Sequence, residues 1–245
     1  VNVTKTIAGA CAIICAASAA LAEGEPGTIS GRAVDSLGRP LSGTRIWIRP
    51  ALTTGLLQTH TDRDGRYTVR GLIQRIPYRA YAWHSFGDGE QAVCARLGHD
   101  DSSDYEAFVP DRPLERNFRL KHEGKIEDYE GQVFGGEMRV FIGDMRPGPL
   151  ELSFVPDGPL IDGAPAKAIT RTLDTRRDLL LYGVPLAAYR VRVRAADVPA
   201  IEVSATGSAD GFGAEARISW ASRESCIGSS ASGPPRIFLW LRPRP

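Results

Sequence analysis

The chain has 245 residues, with 30 Lys and Arg against 29 Asp and Glu and a formal net charge of +1. That length allows one large or two ordinary domains, and a hydrophobic content of 42% supplies the apolar mass for a core. The near-balance of charge lacks the basic footprint of a nucleic-acid binder, and 26 Gly with 17 Pro argue against long helices.

Residues 1–22 read as a secretory signal peptide. Lys5 supplies a positive charge, and an apolar run follows over residues 7–21. Ala20-Leu21-Ala22 then gives the small-x-small pattern ahead of Glu23. The run is short for a membrane span, so no transmembrane segment is expected in the mature chain. Cys11 and Cys15 lie inside it, but Cys15 follows Ile13-Ile14 and Cys11 comes too early for a lipid anchor. Val1 fits a bacterial alternative start codon, so the mature chain is expected in the periplasm or secreted. Two cysteines then remain, Cys94 and Cys226. An oxidising compartment permits a disulfide between them, and two buried thiols fit equally well. A loop that long corresponds to about 5 kcal/mol in the chain-entropy model.

From residue 28 the chain reads as strands. Residues 28–34 (TISGRAV) run into the turn DSLGRP, and residues 44–49 (TRIWIR) put Ile46 and Ile48 on one face. Residues 58–61 and 66–70 flank Asp62-Arg63-Asp64-Gly65. In the second of these, Tyr67 and Val69 point one way and Arg66, Thr68 and Arg70 the other, a hairpin pattern. Residues 78–83 and 114–121 are further strands. No sustained period of 3.6 occurs, so helices are expected to be few and short.

The Asp62–Gly65 stretch matches two kinds of structure. A calcium loop needs about six to eight oxygen ligands. Asp62 and Asp64 are only two, Arg63 and Arg66 add positive charge, and Ile73 stands where a closing Glu belongs. A tight turn needs only Gly65 at positive φ and Asp62 accepting from nearby amides, so a turn without metal is expected.

The stretches GRAVDSLGRPLSGTRIWIRP, THTDRDGRYTVRGL and PYRAYA resemble the carboxypeptidase regulatory-like domain, a group related to transthyretin-like and Cna B-type modules. Gly31, Asp35, Gly38, Pro40, Leu41, Gly43, Thr61, Asp62, Asp64, Gly65, Tyr67, Val69, Leu72 and Tyr78 fit its pattern. The resemblance covers residues 28–121 and implies a seven-stranded Greek-key β-sandwich. It implies little about activity, because such modules are attached to many unrelated proteins.

The second half repeats this plan in degenerate form. Residues 62–71 can be laid on residues 174–183, so that Tyr67 and Val69 meet Leu179 and Leu181, and Tyr78 meets Tyr189. RIWIRP meets ELSFVP, and ERNFRLK meets RIFLWLR. The expected fold is therefore all-β, two tandem Ig-like or transthyretin-like Greek-key sandwiches. Residues 23–124 form the first and 125–245 the second, with a linker near residues 121–126.

His60, His84, His99 and His122 begin no zinc-peptidase motif, and no nucleophile elbow, P-loop or dinucleotide fingerprint occurs. No cofactor is expected. Asp100, Asp101, Asp104 and Glu106 form an acidic loop, expected to be a solvated tip, and residues 225–233 (SCIGSSASG) read as a flexible loop.

Binding candidates come from alternation. Arg190, Arg192 and Arg194 line one face of a strand whose other face carries Tyr189, Val191, Val193 and Ala195. Phe238 and Trp240 share a face of the last strand. Were these strands neighbours, an arginine stripe would adjoin aromatic rings, a combination suited to carboxylates, sulfates and sugars. An ordinary solvated sheet face has the same pattern. Tyr81 and Trp83 form a smaller outward pair.

The first functional expectation is an exported, non-catalytic module binding an envelope protein or a carbohydrate. Its loops or edges would carry recognition, with an open sheet edge after the last strand. The alternatives are a transthyretin-like hydrolase and an accessory subunit of an adjacent enzyme. The hydrolases depend on strand histidines, an arginine and a C-terminal Y-R-G-S, whereas this chain ends Arg242-Pro243-Arg244-Pro245.

Overall fold

The alternating segments become strands in the computed structural model, which describes residues 25–89, 92–177, 179–220, 226 and 234–244. The expected signal peptide, and the expected loop at 225–233 apart from Cys226, lie outside the described residues. Among the described residues the helical elements are two short 3₁₀ turns, Ser102–Tyr105 and Ala209–Gly211.

The first half contains β1 (Ile29–Val34), β2 (Arg45–Pro50), β3 (Leu57–His60), β4 (Arg66–Val69), β5 (Tyr78–Phe86), β6 (Val93–His99), β7 (Leu114–Glu115) and β8 (Phe118–Arg119). Its strands run in the order β3-β2-β5-β6-β8-β1-β4, with β7 also beside β1, so the two layers join along β6 and β8. The second half contains β9 (Gly136–Phe141), β10 (Leu150–Leu160), β11 (Ile169–Leu173), β12 (Leu180–Val184), β13 (Ala187–Ala195), β14 (Ile201–Ser204), β15 (Ala216–Ile218) and β16 (Arg236–Pro243). Here the layers are separate sheets, β11-β10-β13-β15 and β12-β9-β16-β14.

The second half repeats the first in topology. β1 pairs antiparallel with β4 and parallel with β7 and β8. β9 does the same with β12 and β16. The order β3-β2-β5-β6 recurs as β11-β10-β13-β15. The protein is all-β, built as tandem β-sandwiches. The open edge expected after the last strand is absent, because β16 lies between β9 and β14.

Two local departures have physical causes. The strand expected over 114–121 is split at Arg116. That carbonyl passes so close to Gly31 that a Cβ there would lie 1.9 Å from the oxygen. It accepts from the Tyr67 hydroxyl at 2.8 Å, and Asn117 Oδ1 accepts from the Arg32 amide at 2.8 Å in place of a backbone partner. β6 carries no polar-apolar alternation because it is covered on both faces.

The Asp62–Gly65 stretch is a turn. Asp62 Oδ1 accepts from the amides of Asp64 and Arg66 at 2.9 and 2.8 Å. Gly65 has φ 72°. Asp174 makes the equivalent turn, its Oδ1 accepting from the Arg176 amide at 3.1 Å.

Apolar side chains of both halves form one connected core, with Ile46, Ile48 and Phe118 on one side and Met138, Phe154 and Leu239 on the other. Such burial contributes roughly 1.5–3 kcal/mol per large side chain. The junction adds polar ties. Asp162 accepts from the Ser36 amide and hydroxyl and lies 3.2 Å from His122 Nε2, while Arg39 donates to the Asp162 carbonyl. Arg96 grips Asp128 with 2.6 and 2.7 Å bonds, and Ile126 and Phe134 pack on Tyr105.

Candidate functional site

The two predicted halves of the arginine–aromatic site lie on different sheets. Arg190, Arg192 and Arg194 are on β13, and Phe238 and Trp240 are on β16. Each strand turns its apolar residues, Val191 and Val193 or Leu239 and Leu241, into the shared core. The arginines and the rings therefore face out on opposite sides of the second sandwich. The juxtaposition expected from sequence does not occur, because the strands belong to opposite layers.

Carboxylates from neighbouring strands also neutralise the stripe. Arg192 meets Glu215 at 2.9 Å, and Arg190 lies 3.9 Å from both Glu215 and Asp157. Arg217 adds to Asp157 at 3.5 Å, and Arg194 stands in register with Glu151. This is the solvated, charge-laced sheet face that the alternation also allowed. On its inner side Tyr189 meets Phe154 edge-on, and burial pushes its hydroxyl up to about 12.

The aromatic face is larger than the sequence indicated. Phe141 on β9 joins Phe238 and Trp240, stacking on Trp240 with centroids 5.3 Å apart and planes 16° from parallel. Phe238 lies 5.9 Å from Phe141 and 5.8 Å from Trp240. Register places Trp240 beside Phe141 and Phe238 beside the exposed Arg139. Phe141 is 38% exposed, and Tyr182 on the same face is 44% exposed. At the margin Arg242 lies over the Phe212 ring at 4.2 Å and donates to Glu202. Phe141 was missed by the sequence reading, although alternation along GEMRVF, with Met138 and Val140 inward, is a signal that would have found it.

The Tyr81–Trp83 pair needs a correction. Both side chains do point away from the first core, but Trp83 is only 5% exposed and Tyr81 is half-buried. Trp83 packs against Trp47 with ring centroids 4.6 Å apart and planes tilted by 49°, and Arg96 lies over both Tyr81 and Trp83. Leu56 and Cys226 close the cluster from outside. Burial, followed by the Asp128 charge, raises the Tyr81 hydroxyl above its usual range.

Cys226 reaches this cluster through a disulfide to Cys94, with Cα atoms 5.3 Å apart and a sequence separation of 132. The bond ties the second half of the chain to the outer face of β6.

The histidines are dispersed. His99 is buried between Tyr105 and Phe118, and its Nε2 donates to the Ala80 carbonyl at 3.1 Å. Burial lowers its pKa to about 4. His84 is also lowered by burial. The acidic loop is only partly solvated, since Asp104 pairs with Arg116 at 2.8 Å and Asp100 with Arg119 at 2.7 Å. Asp101 caps the 3₁₀ turn through the Ser103 amide. Burial pushes the Asp162 carboxyl upward, but the Ser36 hydroxyl, the Ala164 amide and His122 outweigh it and hold the group below the usual range.

No protein-family model and no curated protein matches the chain. Among solved structures it is similar to the Bacillus anthracis TIE protein, at 10% identity over 70% of this chain and 28% of that one, with a TM-score of 0.29. It is similar to the pilus backbone protein RrgB of Streptococcus pneumoniae at 9% identity, over 89% of this chain and 65% of that one, with a TM-score of 0.25. Two B repeat units of the collagen-binding protein of Staphylococcus aureus match at 9% identity, over 88% and 48%, with a TM-score of 0.25. The chain thus spans less than two thirds of each of these three structures. Among the described residues no helix is long and apolar enough to cross a membrane. The chain is an all-β protein with distant structural similarity to Cna B-type and pilin β-sandwich domains.

Proposed function

We propose that this is an extracytoplasmic, non-catalytic module that docks a protein partner of the cell envelope on the outer face of β9 and β16. The observation that carries the reading is the outward cluster of the exposed Phe141 with the half-buried Phe238 and Trp240, beside the exposed Arg139. Aromatic rings and arginine are the residues enriched at protein interfaces. The face sits on paired strands rather than loops, so the rings are held in place before binding, which lowers the ordering cost. The disulfide supports the compartment, because such bonds persist where conditions are oxidising. The polar ties at the junction support a rigid two-sandwich scaffold.

A photo-crosslinking residue at position 139 in the intact envelope tests this reading. The expected result is a discrete adduct with one envelope protein, and Trp240→Ala weakens it by about thirtyfold, the loss typical of a central interface aromatic. An adduct no stronger than that from position 167, exposed in the loop before β11, contradicts it.

A further inference from the structure

We infer that the outer face of β1 and β4 in the first sandwich is a binding site for an acidic polysaccharide. It names a ligand for a surface separate from the aromatic face and rests on the module being a binding protein.

The arrangement of charge on this face is unfavourable. Arg32 and Arg66 stand directly opposite each other in the β1–β4 ladder, and both are exposed. Like charges in that position repel and destabilise the pair. Arg70 follows on the same side, one residue beyond β4, and is also exposed. Among the described residues none of the three makes an ion pair, and the Arg32 guanidinium donates only to the Asp64 carbonyl, at 3.1 Å. Nothing in the fold needs three unneutralised guanidinium groups here.

These residues line a groove of about 700 Å³. Its arginines are Arg32, Arg66, Arg70 and Arg119, and its carboxylates are Asp100 and Glu115. Asp100 is already held by Arg119 at 2.7 Å, and Glu115 accepts from the Asn117 amide group at 2.8 Å. The groove is left with an excess of positive charge.

Chemistry selects the occupant. The apolar residues of the groove, Val34 and Tyr67, are buried, so a peptide finds no hydrophobic anchor. No exposed ring is available for stacking a base, and a chain of net charge +1 lacks the field of a nucleic-acid binder. Between the two cationic ends sit the hydroxyls of Ser30 and Thr68, paired in register. Arg66 and Arg70 lie about 13 Å apart along the strand at about 3.3 Å per residue. A linear ligand with carboxylates separated by hydroxyl-bearing rings fits this alternation of guanidinium, hydroxyl pair and guanidinium. Arginine forks bind such carboxylates in bidentate fashion.

Titration calorimetry with oligogalacturonate tests the inference, with neutral dextran and a single-stranded oligonucleotide as comparison probes. Oligogalacturonate is expected to bind, more weakly as salt rises, and at least tenfold better than either comparison probe. Replacing Arg66 and Arg70 together by Thr should lower affinity about a hundredfold, roughly tenfold per charged contact. Lys167→Ala, which removes an exposed charge from the second sandwich, should leave it unchanged. Arg66→Thr alone should keep or raise the thermal midpoint, which shows that its lost binding is not lost folding. The inference is overturned if oligogalacturonate does not bind, if the oligonucleotide binds equally well, or if the Arg66/Arg70 double variant binds like the parent. A failure of this kind, with the position-139 adduct intact, removes the glycan site and leaves the protein-docking reading standing.

Discussion

The two sandwiches share a strand order but treat their outer faces in opposite ways. In the first, the aromatic face of Trp47, Tyr81 and Trp83 is closed by Cys226 and Leu56, and among the described residues Arg32, Arg66 and Arg70 of the arginine face make no ion pair. In the second, the arginines of β13 are neutralised by Glu215 and Asp157, and the aromatic face is partly exposed, with Phe141 at the surface and Phe238 and Trp240 half-buried. The same strand order thus carries an unpaired arginine face in one sandwich and a partly exposed aromatic face in the other. The difference shows that an outward-facing residue pattern does not by itself make a site. What matters is whether something else in the chain covers or neutralises it.

Breaking the disulfide should have the largest effect on this contrast. Cys94→Ser removes a crosslink with a sequence separation of 132, worth about 5 kcal/mol in the chain-entropy model. The closed aromatic face should become an open one. Urea unfolding is expected to show the loss, and tryptophan emission of the folded variant should shift to the red as Trp47 and Trp83 meet water. Unchanged emission would mean that the cover does not depend on the bond.

A smaller effect separates the two sandwiches by pH. All four histidines precede residue 123, and His99 is the one whose pKa burial lowers from 6.5 to about 4. The unfolded chain therefore binds this proton first as pH falls. Stability from His99 is complete above about pH 6.5 and is lost progressively toward about pH 4, by about 3 kcal/mol in all. Acid should loosen the first sandwich selectively, and His99→Phe should flatten that limb of the stability profile. Equal loosening of both halves would place the acid sensitivity elsewhere.

The smallest effect should come from Glu215→Gln. It removes surface ion pairs to Arg190 and Arg192 at a cost below about 1 kcal/mol. It should also convert the closed stripe of β13 into an open one, with a severalfold gain in affinity for oligogalacturonate. No gain would show that neutralisation is not what distinguishes the two arginine faces.

The sequence made local features legible and non-local ones not. Gly65 and Asp62 were readable as a turn because the geometry is settled within five residues. Alternation placed Ile46 and Ile48 inward and Trp83 outward correctly. It could not show that Trp83 is buried, because its cover comes from a residue more than a hundred positions later. The outward direction of Arg190 and Arg192 was likewise readable, but Glu215 arrives through the pairing of β13 with β15. β6 escaped notice because burial on both faces erases the period of two. The candidate site combined two strands whose faces were each read correctly and whose placement in opposite layers only the topology reveals.

The most direct measurement is backbone hydrogen exchange of the full chain with and without oligogalacturonate, resolved to single strands. The account predicts added protection at residues 30–32 and 66–70, and none at residues 190–194. Protection at 190–194, or no change at 66–70 under saturating ligand, would contradict it.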